Sequence, residues 1–131
     1  MNTHLVFIYG SLRRGSAGAM AIRFPTAKFV GDAKVSGELY DLGAYPGLVL
    51  GAANSLVVGE AYEVDEELLN ELDAFETSSD YLRKPVEIFL DDQQKSGWVY
   101  GPDPEVYPLR TLITSGDWIE YAKTSKDDGN E

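Results

Sequence analysis

The sequence predicts an α+β domain built on a mostly antiparallel β-barrel or curled sheet. Short apolar or alternating segments, the mark of strands, fill most of the chain. Only two stretches carry a clear helical signature. The chain has 131 residues with 44% hydrophobic content, a natural size and composition for one domain with one sizeable core.

The elements follow in order. His4 to Tyr9 is a nearly continuous apolar run that ends at Gly10-Ser11, so it reads as a buried central strand entering a turn. Arg13 to Gly18 reads as loop, leading to a short helix around Ala19 to Ile22 that Pro25 closes. Lys28 to Ala33 and Lys34 to Tyr40 are two extended stretches. Asp41-Leu42-Gly43 and Ala44-Tyr45-Pro46-Gly47 supply turn chemistry, and Leu48 to Leu50 is a brief strand. Asn54 to Val64 is another strand, where Gly59 marks a bulge or a close backbone approach. Pro85 to Leu90 alternates cleanly, burying one face, and Gly97 to Tyr100 adds a further strand.

The first clear helix runs from about Asp65 to Glu76, with Asp65 as N-cap and Glu66-Glu67 at the positive end of the dipole. The second starts near Ser115, where Ser115-Gly116-Asp117 form a cap and Trp118 and Tyr121 share a side. Residues 1–123 read as one domain, and the charged stretch 124–131 as a polar, flexible tail. No repeat or linker divides the chain.

Composition narrows the function. Eleven basic against 22 acidic residues give a net charge of −11, which repels phosphate backbones and anionic membranes. The basic pairs Arg13-Arg14 and Arg83-Lys84 are too small to reverse that, and they read as solvated or locally paired. The expected partner is a small molecule, with neither nucleic acid nor membrane. No apolar run approaches the length of a membrane span, and Met1 to Phe7 shows no signal-peptide pattern. The chain has no cysteine, which excludes disulfides, thiol chemistry and thiolate zinc sites and fits a reducing cytoplasmic setting.

One residue breaks the helical pattern. With Leu68 at zero and about 100° per residue, Leu72 falls at about 40°, Phe75 at about 340° and Leu69 at about 100°. Glu76 falls at about 80°, inside this apolar arc, provided that the helix reaches it. A buried carboxylate must pair, accept hydrogen bonds or hold its proton to higher pH, and the last state suits an acid/base catalyst near neutrality. The alternatives are a Glu76 just past the helix end facing water, or one paired with Arg83.

Tyr9-Gly10-Ser11-Leu12 is the other candidate. A glycine after a buried strand lets backbone N–H groups reach a carboxylate or developing oxyanion, although a plain Gly-Ser turn has the same sequence. Neither a phosphate loop nor a dinucleotide fingerprint follows. Ser11 as a nucleophile needs a base, and the only histidine, His4, lies ~23 Å away along an extended strand. A histidine-based metal site fails for the same shortage. Asp91-Asp92 and Asp127-Asp128 read as solvated loop charges.

Taken together, these segments resemble the gamma-glutamylcyclotransferase-like family. Val6 to Gly15 resembles its opening signature, and Gly37 to Gly43 with Tyr45-Pro46 its second block. Val58 to Val64 resembles the third block, and Leu72 to Glu76 with Tyr81 and Arg83 the fourth. Trp98 to Tyr100 and Ser115 to Trp118 are similar to later segments of small bacterial and archaeal members.

The resemblance implies a small, mostly antiparallel β-barrel with flanking helices. It also implies an enzyme that releases 5-oxoproline from a gamma-glutamyl compound without cofactor or metal. By position, Glu76 would be the catalytic acid/base, and Tyr9, Gly10, Ser11, Leu12 and Tyr81 would bind substrate. Arg83 would pair with a nearby carboxylate. Specificity would lie in the loops around residues 15–25, 41–47 and 101–110. A non-catalytic module that binds a small amino-acid-like ligand in the same pocket is the alternative. One position departs from the family: Thr77 stands where glycine often follows the glutamate, at the turn that aims its carboxylate.

Overall fold

Among the described residues, seven strands and two helices follow each other ahead of a final helical turn: β1 (Thr3–Ile8), α1 (Met20–Arg23), β2 (Lys28–Asp41), β3 (Pro46–Leu50), β4 (Leu56–Asp65), α2 (Glu66–Thr77), β5 (Tyr81–Leu90), β6 (Gln93–Pro102) and β7 (Thr111–Ile113). They belong to a computed structural model that describes residues 3–10, 12–13, 19–43, 45–51, 55–107 and 111–122. The segments 14–18 and 124–131, read above as loop and tail, lie outside the described residues, as does Asn54.

Five strands close a barrel in the order β2-β4-β1-β6-β5, with the β5-to-β2 seam made at Lys34 and Phe89. All pairings are antiparallel except β1 with β6, where Val6 lies beside Trp98 and Phe7 beside Val99. The C-terminal half of β2 runs beyond the barrel and carries β3 on one edge and β7 on the other. This is the α+β barrel with flanking helices that the sequence implies.

The barrel interior is filled by alternate side chains, among them Phe7, Val35, Val57, Ile88 and Val99. The intervening residues Val6 and Ile8 point outward, where Leu68, Leu69 and Leu72 of α2 cover them together with Tyr62 and Val64. Burial on both faces is why β1 reads as an unbroken apolar run. Gly59 has a steric reason: a Cβ there would stand 2.2 Å from the Ile8 carbonyl oxygen, so β1 and β4 can approach only over glycine.

Several features differ from the sequence reading. The stretches 28–33 and 34–40 form one strand, because the alternation Ala33, Val35 continues without a turn residue; the irregularity falls earlier, between Phe29 and Gly31. β6 begins at Gln93 rather than Gly97, since a two-residue turn at Asp91-Asp92 pairs the polar residues 93–96 with β5. β7 has only three residues and two of them are exposed, so it shows no sequence pattern. The short first helix shifts by one residue, to Met20–Arg23.

Helix ends follow the expected chemistry. The Asp65 carboxylate accepts the Leu68 N–H at 2.8 Å, capping α2. Residues 118–122 form a final helical turn, where the Asp117 carboxylate accepts the Glu120 N–H at 3.2 Å. The Trp118 and Tyr121 rings lie 5.9 Å apart, packed against the barrel core.

Candidate active site

The end of β1, the end of α2 and the start of β3 enclose a cavity of about 340 Å³, within the range of small-molecule sites. Tyr9, Gly10 and Leu12, Phe75 and Glu76, and Tyr81 with Tyr100 line it. Two segments far apart in sequence, the turn after β1 and the last turn of α2, therefore meet around one space. Ser11 lies outside the described residues.

The α-helix does extend through Glu76 and ends after Thr77. Leu68, Leu69 and Leu72 are buried, whereas Phe75 and Glu76, one turn further, pass the edge of the core and face the cavity. Burial raises the Glu76 carboxyl from 4.5 to about 7. The negative end of α2 acts in the same direction, and no basic residue occupies its last turn. Among the described residues nothing pairs with Glu76. Arg83, the partner considered above, instead places Nε 3.5 Å from Asp73 and stacks its guanidinium 4.4 Å from the Trp98 ring centre.

Thr77 is accommodated without distorting Glu76. Its hydroxyl donates back to the Asp73 carbonyl, keeping it within the helix. The chain reverses three residues later, at Asp80, which takes the left-handed conformation with φ 62°. A glycine at position 77 is therefore not required for this exit.

The tyrosine hydroxyls are already engaged. Tyr9 Oη donates to the Tyr100 carbonyl at 2.6 Å and accepts the Leu48 N–H at 3.2 Å. Tyr81 Oη donates to the Pro46 carbonyl at 2.6 Å. Tyr100 Oη donates to Asp73 at 2.7 Å. These bonds fasten β3 and α2 to the barrel, and the rings line the cavity. Burial holds all three phenols above their usual range, so they remain protonated.

The turn itself is tight. The Gly10 carbonyl accepts the Arg13 N–H at 3.1 Å, and the Leu12 carbonyl accepts the Met20 N–H at 2.8 Å, tying the turn to α1. A Cβ at Gly10 would meet Pro46 Cγ at 3.0 Å, so glycine lets the turn pack against the cavity lip. Among the described residues no group of three or more His, Asp or Glu side chains gathers as a metal site would need.

The sequence did not single out several of the lining residues, among them Tyr100, Arg23, Tyr45 and Pro46. Tyr100 sits on a strand whose alternation does not reveal a cavity outside the barrel. Arg23, Tyr45 and Pro46 come from the regions 15–25 and 41–47, which were expected to shape specificity. None of the described residues of 101–107 lines this cavity.

Comparison with known proteins agrees with this architecture. The model of the family described as gamma-glutamyl cyclotransferase, AIG2-like, matches residues 6–120. A Vibrio cholerae protein, provisionally named a gamma-glutamylcyclotransferase, is 39% identical over 118 residues, covering 89% of this chain and 96% of its own length. Bacillus subtilis YkqA superposes with a TM-score of 0.78 at 27% identity, covering 96% of this chain and 43% of YkqA, so the chain spans less than half of that protein. A mouse AIG2-like protein superposes with a TM-score of 0.68 at 26% identity, covering 84% of this chain and 87% of that one. The chain belongs to the gamma-glutamyl cyclotransferase, AIG2-like family.

Proposed function

We propose that this protein releases 5-oxoproline and a free amine or amino acid from a small gamma-glutamyl compound. The observation that carries this reading is Glu76, an unpaired carboxylate among the described residues. It sits in a cavity that Gly10 and Leu12 also line, with its proton affinity raised to about 7.

The reaction is an intramolecular acyl transfer. The Glu76 carboxylate takes a proton from the substrate α-ammonium, freeing the nitrogen lone pair. That nitrogen attacks the γ-carbonyl carbon, closing a five-membered ring and placing negative charge on the carbonyl oxygen. The bond to the leaving nitrogen then breaks, and Glu76 returns its proton to that nitrogen. The other proton shed by the ring nitrogen goes to solvent, and the departing amine takes one up as it becomes ammonium. Holding the chain folded for ring closure supplies much of the rate.

Backbone N–H groups of Gly10, Ser11 and Leu12 bind the α-carboxylate or the oxyanion. The Tyr9 and Tyr81 rings shape the space. An incoming ammonium stabilises the Glu76 carboxylate and so draws it toward the basic form. No cofactor or metal takes part in these steps.

The test is 5-oxoproline release from gamma-glutamyl amino acids, gamma-glutamylamines and glutathione, comparing wild type with Glu76→Gln. Release by wild type that vanishes in a folded Glu76→Gln variant supports the reading. Binding of these compounds without any release overturns it in favour of a binding module.

A further inference from the structure

Arg23 stands apart from the other well-placed arginines. The Arg13 guanidinium is occupied by Glu60 and Asp117, at 3.3 and 2.8 Å. Arg83 is occupied by Asp73 and Trp98. Arg23 borders the cavity, and among the described residues no carboxylate pairs with it. In a chain of net charge −11, an unspent guanidinium at a cavity rim is unusual.

Its position is held by packing. Arg23 ends α1 and places Cζ 5.3 Å from the centre of the Phe75 ring. Phe75 is braced edge-on by Phe24, with ring centres 5.6 Å apart. The stacking holds the cation beside the residue that precedes Glu76, and it leaves the planar N–H fork open to an anion.

We infer that Arg23 receives a carboxylate on the amine half of the substrate, which selects gamma-glutamyl amino acids or peptides over gamma-glutamyl alkylamines. The inference rests on the proposed function and adds the substrate's second half to it. The glutamyl end belongs to the deep part of the cavity, where Leu12 is buried and Glu76 meets the α-ammonium. Arg23 lines the same cavity and is exposed, so it meets the part of a ligand nearest to solvent. The departing half, which extends toward solvent, is the part that reaches it. A carboxylate there accepts both bonds of the fork with its charge neutralised, whereas an amide offers one neutral acceptor and an alkyl group none.

The experiment compares gamma-glutamylalanine with gamma-glutamylalaninamide, which differ only in the terminal carboxylate. Wild type should favour the carboxylate compound by about tenfold or more in kcat/KM, through KM. Arg23→Gln should bring the two compounds within about twofold of each other, and Arg23→Lys should keep part of the preference. Equal use of both compounds by wild type overturns the inference. So does an Arg23→Gln variant that weakens both equally, since that would place Arg23 at the glutamyl end.

Calorimetric binding of the same pair to Glu76→Gln separates this inference from the proposed reaction. If neither compound is turned over, carboxylate-selective binding lost in Glu76→Gln/Arg23→Gln sustains the anion site while cyclotransfer falls. No binding of either compound overturns both.

Discussion

Two glutamates of this protein lie away from bulk water and have opposite fates. Glu60, on β4, is 2% exposed and satisfied: it accepts the Tyr62 hydroxyl at 3.1 Å and Arg13 Nε at 3.3 Å. Arg13 continues to Asp117 at 2.8 Å, so the charges form a chain that ties the turn after β1 to the C-terminal helical turn. Glu76 is less buried, yet its carboxyl is pushed up to about 7, because no partner among the described residues offsets its desolvation. Depth of burial alone therefore does not decide whether a carboxyl holds its proton toward neutral pH. Compensation does.

The contrast can be pressed at both ends. The largest effect should come from Glu76→Gln, which removes the proton carrier: 5-oxoproline release should fall by about 10²–10⁴-fold. In wild type, kcat/KM should rise about tenfold per pH unit below about 7 and level off above it, as Glu76 becomes the basic form. A profile flat from pH 5 to 8 would remove Glu76 from the proton-transfer role.

Arg13→Ala removes a guanidinium that Glu60 and Asp117 share. It should lower stability by about 3 kcal/mol, measured by urea unfolding. A loss absent from Arg13→Met, which keeps the apolar stem without the charge, would mean that Arg13 acts through packing alone.

Glu76→Gln should do the reverse. Folded Glu76 keeps its proton up to about pH 7, whereas the unfolded chain releases it near 4.5. The native state therefore binds the extra proton between these values, and its stability falls as pH rises through them. Glutamine carries no such loss. The variant should match wild type near pH 4 and exceed it by about 1–3 kcal/mol at pH 8, less than the full shift because the site is partly open.

The smallest effect is Tyr81→Phe, which leaves the Pro46 carbonyl without its donor. About 1 kcal/mol of stability should be lost, with the KM for substrate rising more than kcat falls as the cavity lip loosens.

Much of this arrangement is legible in the sequence because it rests on local rules. The Asp65 cap, the wheel that turns Glu76 onto the apolar side and the two-faced burial of β1 need only periodicity and side-chain chemistry. What escapes is settled by residues distant in sequence. Tyr9 looks like a binding tyrosine, but its hydroxyl is spent on Tyr100 and Leu48, which no spacing rule could pair with it. Arg23 carries no local signal, and only Phe75 arriving from α2 makes it a wall of the cavity. That β2 is one strand is settled by its partner: Ala33 and Val35 are buried and Asp32 and Lys34 exposed in a single alternation, which β4 pairs continuously from Gly31 to Ser36.

The parallel pairing of β1 with β6 has a consequence for synthesis. Val6 cannot meet Trp98 until nearly all of the barrel has been translated. Until then the apolar segment from Leu5 to Tyr9 has no complete place to hide, and the turn beside it faces no finished cavity. The nascent chain must therefore carry this apolar strand unsealed on its β6 edge until Val99 has left the ribosome, so the barrel closes late in its own synthesis.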